Sequence, residues 1–164
     1  MPVWRRTLAA FLAITGVAVA GCTQAGRDES APVGELTIPG RFSLRAGATA
    51  TLLPVTAIDS AAGRIRYGDA VIEYDHGPYS DPFEPIAGDE AYLARDIVLD
   101  GRPARIVTLH SATRFAGRPF FVGLHFPDLG ATSLGKTRLS IYAATETAQA
   151  RAEIERVLLT VRPR

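Results

Sequence analysis

Short apolar runs separated by glycine, proline and aspartate fill the chain from about Glu35 to its end. Runs of this length, bounded by turn residues and rich in β-branched and aromatic side chains, are typical of β-strands. Two of them, 106–109 and 120–124, are apolar at nearly every position, which predicts central strands covered on both faces. The whole pattern predicts strands at 41–45, 49–55, 64–67, 70–74, 96–99, 104–110, 120–126 and 138–143.

Two turn dipeptides, Gly68-Asp69 and Asp100-Gly101, predict tight hairpins between neighbouring strands. A two-residue loop that begins with glycine favours a type II′ turn at the first of them. That turn predicts one apolar and one charged pair across the ladder: Ile65 with Ile72, and Arg64 with Glu73.

Apolar positions recur at helical spacing from Thr147 to Leu158, with charged residues between them, which predicts one amphipathic helix. Thr145 is the expected N-cap, and Glu146 in the first turn would suit the helix dipole. A short last strand is expected to begin at Val161. The predicted fold class is therefore α+β: an antiparallel, meandering β-sheet with a C-terminal helix packed on one face.

The N-terminus has a different pattern, in which Arg5 and Arg6 precede an apolar run from Leu8 to Val19. A membrane-spanning helix needs about 20 apolar residues, so this run is too short for a span and has the proportions of a signal peptide. It ends in Val19-Ala20-Gly21-Cys22, which resembles the lipobox of bacterial lipoproteins. The resemblance implies that the sulfur of Cys22 receives a diacylglycerol, that the chain is cut before it, and that the new amine is acylated.

Cys22 is the only cysteine in the chain, which fits a lipid acceptor and excludes an internal disulfide. Lipoproteins that stay at the inner membrane of Gram-negative bacteria usually have Asp after the cysteine, and Thr23 stands here. By resemblance, we expect an outer-membrane lipoprotein that faces the periplasm; another bacterial envelope membrane is the alternative.

The polar segment that follows Cys22 lacks periodicity, which predicts a flexible tether with a span on the order of 20 Å. The predicted organisation is a signal peptide at 1–21, the lipidated cysteine and tether at 22–34, and one α+β domain at 35–164. A length of 164 residues allows one ordinary domain. Eighteen basic against seventeen acidic side chains leave a net charge of +1, which argues against a nucleic-acid partner.

The segment 74–83 concentrates polar and aromatic side chains in a Gly/Pro-rich loop at a strand end, where functional residues are common. It supplies the candidate contacts to a ligand or partner: Tyr74, Asp75, His76, Tyr79, Ser80 and Asp81. A purely structural loop and a hydrolase with His76 as the base for Ser80 stay open as alternatives. No Gly-x-Ser-x-Gly motif surrounds Ser80, so no catalytic residue is assigned.

His110 and His125 test for a metal site on the two predicted central strands. If His110 lies opposite Phe120, then His125 lies opposite Arg105, and the two histidines are roughly 16 Å apart on opposite faces. The sequence also contains no His-x-x-x-His, Cys-x-x-Cys or calcium-loop motif. We therefore expect neither a metal nor a cofactor.

Three segments carry a resemblance to a known fold: 38–44 (IPGRFSL), 99–104 (LDGRPA) and 150–161. In this order they resemble the PsbP-like fold of small bacterial lipoproteins and photosystem accessory subunits, over about residues 36–162. The resemblance implies binding and assembly rather than catalysis. We expect a non-enzymatic, membrane-anchored lipoprotein that binds a protein partner or envelope component; the alternative is a lipoprotein that binds a small ligand or ion through 74–83.

Overall fold

The computed structural model describes residues 34–55, 61–115 and 117–164. The predicted signal peptide, Cys22 and nearly all of the predicted tether lie outside the described residues. The described part of the chain contains twelve strands and one helix in the following order. They are β1 (Glu35–Ile38), β2 (Phe42–Arg45), β3 (Thr51–Leu53), β4 (Gly63–Tyr67), β5 (Ala70–Gly77), β6 (Glu90–Leu99), β7 (Arg102–His110), β8 (Phe120–Phe126), β9 (Ala131–Thr132), β10 (Gly135–Lys136), β11 (Arg138–Thr145), α1 (Ala148–Leu158) and β12 (Arg162–Pro163).

A seven-stranded antiparallel sheet in the order β3-β4-β5-β11-β8-β7-β6 forms the centre of the molecule. The runs β3-β4-β5 and β6-β7-β8 each connect neighbours in sequence, as a meander does. β5 and β6 follow each other in sequence but are not neighbours, because β11, β8 and β7 lie between them in the sheet. The predicted α+β class is confirmed. The strand order of the sheet differs from a simple meander at β11, which lies between β5 and β8.

Both predicted hairpins are present with the predicted turns. Gly68 has a φ of +56°, as the first central position of a type II′ turn requires, whereas Asp100 and Gly101 both have positive φ, as in a type I′ turn. The registers are also confirmed, since Ile65 lies opposite Ile72 and Arg64 opposite Glu73. The Arg64 Nε donates to Glu73 Oε1 over 2.8 Å.

The C-terminal helix is confirmed, but its predicted N-cap is wrong. The N-cap is Thr147, whose hydroxyl oxygen accepts from the Ala150 backbone N–H over 3.1 Å. Thr145 ends β11 opposite Phe120, and its hydroxyl donates to backbone carbonyls. Glu146 therefore precedes the helix, and the first turn holds no acidic residue. The strand pairing of Thr145 overrides its capping preference.

The two faces of the large sheet are covered by different material. The face that carries Ile72, Leu124 and Ile141 packs against α1 through Ile154 and Leu158, and we call it the helix face. A small sheet in the order β1-β2-β12 adds further buried residues to this core.

The opposite face, which we call the loop face, carries Val107, Leu109 and Phe121. Two connecting segments, 78–89 and 111–115, bring Phe83 and Phe115 onto it. The Phe83 ring meets the Phe121 ring edge-on at 5.2 Å, and the Phe115 ring stacks on Phe121 at 4.9 Å. These aromatic contacts fix the two segments over the sheet.

Candidate functional site

A row of polar residues crosses the loop face over five neighbouring strands. The strand registers place the members of this polar row side by side, in the order Asp96, Arg105, His125, Ser140 and Asp75. Because residues paired across a sheet share a face, all five side chains project from the same side. The alternation of β-strands thus brings together residues from β6, β7, β8, β11 and β5.

His125 is the buried centre of the row, with 5% of its surface exposed. Its Nδ1 lies 2.9 Å from Ser140 Oγ, and the Ser140 hydroxyl lies 2.7 Å from the carbonyl oxygen of Asp81. A carbonyl has no hydrogen to give, so Ser140 donates to Asp81 and accepts from Nδ1–H. Burial lowers the pKa of His125 to about 4, with help from Arg138 and Arg105. The ring is therefore neutral at pH 7, and its Nε2 is a hydrogen-bond acceptor.

A cavity of about 520 Å³ opens beside His125, and we call it the cationic cavity. Arg105 and Arg138 line it from the sheet, and Lys136 lines it from β10. Asp96 also lines it, and its carboxylate accepts from Arg105 Nε over 2.9 Å. The hydrogen bond to Asp96 raises the pKa of Arg105 further, so this guanidinium stays charged.

A second cavity of about 330 Å³ lies further along the same face and is lined by Asp75, Asp81, Ser140 and Tyr142, among others. Asp75 Oδ1 is fully buried and has no hydrogen-bond partner among the residues that the structure describes. Burial raises the pKa of the Tyr142 hydroxyl, and a hydrogen bond with Glu73 raises it further. Tyr142 therefore stays protonated beside these carboxylates.

An ion pair joins the two segments that cover the loop face. Arg114 Nη1 lies 3.0 Å from Asp89 Oδ2, and the Asp89 side chain is only 1% exposed. The same carboxylate oxygen accepts from the Ile86 backbone N–H over 3.0 Å. The Arg114 guanidinium also lies 5.5 Å from the centre of the Phe115 ring and 6.0 Å from that of Phe121. These contacts hold the walls of the second cavity in place.

The six contact residues predicted from the sequence do not form one cluster. Tyr74 is buried on the helix face, where its ring meets Phe42 edge-on at 5.2 Å. The prediction that 74–83 is a loop is wrong for its first four residues, because β5 extends to Gly77. His76 alternates with Asp75 along β5 and so lies on the side of Tyr74. Burial lowers the pKa of His76, and nearby Arg41 lowers it further. Tyr79 is 82% exposed, outside both cores.

Ser80 is 1% exposed, and its hydroxyl is occupied by the backbone. It donates to the Asp75 carbonyl over 2.9 Å and accepts from the Gly77 N–H over 3.2 Å. The arrangement closes the turn after β5 and leaves Ser80 out of reach of a substrate. Of the predicted six, the structure brings Asp75 and Asp81 together at the second cavity, where ligand contact stays a prediction.

The polar row was not predicted from the sequence, although the register of two of its members was. The predicted register of His110 with Phe120 and of His125 with Arg105 is confirmed. Ser140 lies next to His125 because β11 pairs with β8 across the β9-β10 hairpin, and Asp75 joins the row because β11 also pairs with β5, which is distant in sequence. A signal was present in the alternation of 138–143, where Arg138 and Ser140 alternate with buried Leu139 and Ile141.

Among the described residues, no group of three or more His, Cys, Asp or Glu side chains has the geometry to hold a metal ion. Within 34–55, 61–115 and 117–164, no helix has the length and apolar character needed to cross a bilayer. No protein-family model, curated protein or solved structure matches the chain. The lipobox and the PsbP-like resemblance therefore stay predictions from the sequence.

Proposed function

We propose that the chain is a lipid-anchored protein of a bacterial envelope, outer-membrane and periplasm-facing, whose single domain binds another envelope protein and catalyses no reaction. The anchor is supported by the order of basic residues, apolar run, small residues and Cys22 at the N-terminus. An acylated Cys22 would hold the domain at the membrane without a spanning helix, since two or more acyl chains anchor stably.

The binding surface that the geometry supports best is the outer edge of β6. This strand has 10 residues and is the last strand of the seven-stranded sheet in the part of the chain that the structure describes. Its outer edge presents backbone N–H and C=O groups that an added strand can pair with. Leu93 and Val98 are 54% and 70% exposed along it, and their odd spacing puts them on opposite faces.

The occupant we propose is an extended segment of an envelope protein that adds a strand beside β6. Such a segment would gain main-chain hydrogen bonds along its length, and apolar side chains on either face of it would cover Leu93 and Val98. The single observation that carries this proposal is a long, exposed edge strand with apolar side chains on both of its faces.

The burial of Ser80 supports a binding role over the hydrolase alternative. A nucleophile must reach its substrate and have its base within hydrogen-bonding distance. Ser80 is buried with its hydroxyl bonded to the backbone, whereas His76 lies on the helix-face side of β5. The small-ligand alternative is supported by the second cavity, which Asp75 and Asp81 line.

The anchor is tested by growing cells with a labelled fatty acid and comparing the wild type with Cys22→Ser. We expect label on the wild-type chain and none on the variant, with the variant released from the membrane fraction. Equal labelling of both chains would contradict the anchor.

The edge is tested by placing a photoreactive amino acid at Val98 in intact cells and identifying what is crosslinked. The matched control is the same amino acid at Leu52, which is 48% exposed on β3 at the opposite edge of the sheet. We expect one discrete product from position 98 and none from position 52. The same products from both positions, or none from position 98, would contradict binding at this edge.

A further inference from the structure

Three cationic side chains, Arg105, Lys136 and Arg138, line the cationic cavity against one carboxylate, Asp96. Two of the three cations are paired with carboxylates, and the third is not. Arg105 pairs with Asp96 at 2.9 Å and with Glu84 at 3.6 Å. Lys136 pairs with Asp128 at 2.7 Å. Arg138 has no carboxylate within 4.0 Å among residues 34–55, 61–115 and 117–164.

A neutral acceptor lies among these cations. The hydrogen bond to Ser140 fixes the hydrogen of His125 on Nδ1, which leaves a lone pair on Nε2. Nε2 of His125 has no hydrogen-bond partner among the described residues, and it is not one of their fully buried side-chain atoms that lack a partner, which belong to Asp75, Asp89 and Arg151. Part of Nε2 is therefore accessible where the ring lines the cavity.

We propose that the cationic cavity binds a small oxyanion that also carries a hydroxyl group. Arg138, assisted by Arg105 and Lys136, holds the charged oxygens, and Nε2 of His125 accepts the hydrogen of the hydroxyl. An oxyanion without that hydrogen would place an oxygen lone pair against the Nε2 lone pair, so the site distinguishes between two anions of equal charge.

The position of the groups makes this a built site rather than a basic patch. Arg105 and His125 are paired residues of β7 and β8, and Arg138 belongs to β11, the next strand. Side chains on central strands hold their positions better than side chains on loops. A volume of about 520 Å³ also falls in the range of small-molecule sites.

This site differs from both surfaces of the proposed function. The partner edge is the outer side of β6, and the predicted contacts Asp75 and Asp81 line the second cavity. The inference stands on the geometry of the cationic cavity, so the loss of the anchor or of the partner would leave it unchanged.

The experiment is a calorimetric titration of the full-length chain at pH 7 with two matched pairs of anions. Malate and succinate are dicarboxylates that differ by one hydroxyl, while hydrogen phosphate and sulfate are tetrahedral dianions of which only the first carries a hydrogen. In the pair that fits the cavity, we expect the hydroxyl-bearing anion to bind about tenfold more tightly, the ratio that corresponds to one hydrogen bond. The pair that binds identifies the oxyanion as carboxylate or phosphate.

Two variants separate the charge from the acceptor. Arg138→Gln is expected to weaken the preferred anion at least tenfold. The control is Arg66→Gln, which removes the same charge from an exposed position on β4 and should change affinity less than twofold. His125→Phe keeps a ring of similar size and should equalise the two members of the pair.

Three results would overturn the proposal. They are no binding of any of the four anions up to millimolar concentration, equal binding within both pairs, or equal weakening by Arg138→Gln and Arg66→Gln. If His125→Phe fails to fold, the comparison within each pair on the wild-type chain still decides the role of the acceptor, and the arginine variants decide the charge.

Discussion

Two adjacent rows of the same sheet, one residue apart, show how differently its faces are used. On the helix face, Tyr74, Ile141, Leu124 and Ile106 lie side by side and are all buried. On the loop face, the neighbouring positions of the same strands carry Asp75, Ser140, His125 and Arg105. Because strands alternate, one set of ladder hydrogen bonds supports an apolar row and a polar row at once.

The difference indicates that the loop face was not built for stability alone. Burying a polar group costs free energy unless each of its hydrogen bonds is satisfied. His125 Nδ1, Ser140 and the Asp81 carbonyl satisfy one another, but Asp75 Oδ1 is fully buried without a partner in the described part of the molecule. This unpartnered oxygen lowers stability by a penalty that an apolar side chain at the same position would not carry.

The largest effect is expected on the helix face. Leu124 is fully buried in the main core, and Leu124→Ala should lower the free energy of unfolding by about 3 kcal/mol, through lost burial and a residual cavity. Chemical denaturation measures the change. Val98→Ala, at a 70% exposed position, is the control and should stay within about 0.5 kcal/mol. Equal effects of the two substitutions would contradict the assignment of the main core.

A smaller loss is expected in the polar row. Ser140→Ala removes the acceptor of the buried His125 Nδ1–H and the donor to the partly buried Asp81 carbonyl, which should cost about 1–3 kcal/mol. The same denaturation experiment measures it. A Ser140→Ala variant as stable as the wild type would show that the polar row carries no structural hydrogen bond.

His125 should give the loop face a pH dependence. Its pKa is about 4 in the folded protein and about 6.5 when unfolded, so between these values the unfolded chain binds a proton that the folded chain does not. Stability is therefore greatest above about pH 7 and falls as the pH is lowered toward 4, by roughly 2–3 kcal/mol. Arg138 and Arg105 disfavour the charged ring, whereas Asp81 favours it.

Unfolding measured between pH 7 and pH 5 tests this dependence. His125→Phe should flatten the profile relative to the wild type. Burial also lowers the pKa of His76, so this residue contributes a pH dependence of the same sign. His76→Gln removes that contribution alone and should leave the part of the slope that comes from His125. A wild-type profile that is already flat over this range would contradict the buried, neutral state of His125.

The smallest effect is expected at an exposed ion pair between β4 and β5. Arg64 and Glu73 form an ion pair of 2.8 Å, but the Arg64 side chain is 57% exposed. Arg64→Gln should therefore change stability by less than about 1 kcal/mol, and added salt should reduce the difference. A loss as large as that of Ser140→Ala would remove the distinction between buried and exposed polar pairs on which the comparison rests.

Local patterns predicted most of the strands, the two hairpins and the helix, because turn dipeptides and apolar spacing act within a few residues. They missed β1 and the first half of β6, which lack a clean apolar run. The register of Arg105 with His125 followed from the loop that joins their strands. The pairing of β11 with β5 did not follow, since that contact joins segments that are distant in sequence and depends on their packing. The polar row reaches Asp75 only through this pairing, so the sequence did not connect Asp75 with His125 and Ser140.

The most direct test of the polar row is the protonation state of the His125 ring in the wild-type chain at pH 7. Nitrogen-15 NMR of the imidazole, assigned with His125→Phe, distinguishes the two neutral tautomers from the charged ring. We predict a neutral ring with its hydrogen on Nδ1, whose Nε2 resonance shifts when the preferred oxyanion is added. A hydrogen on Nε2, or a charged ring at this pH, would contradict the account.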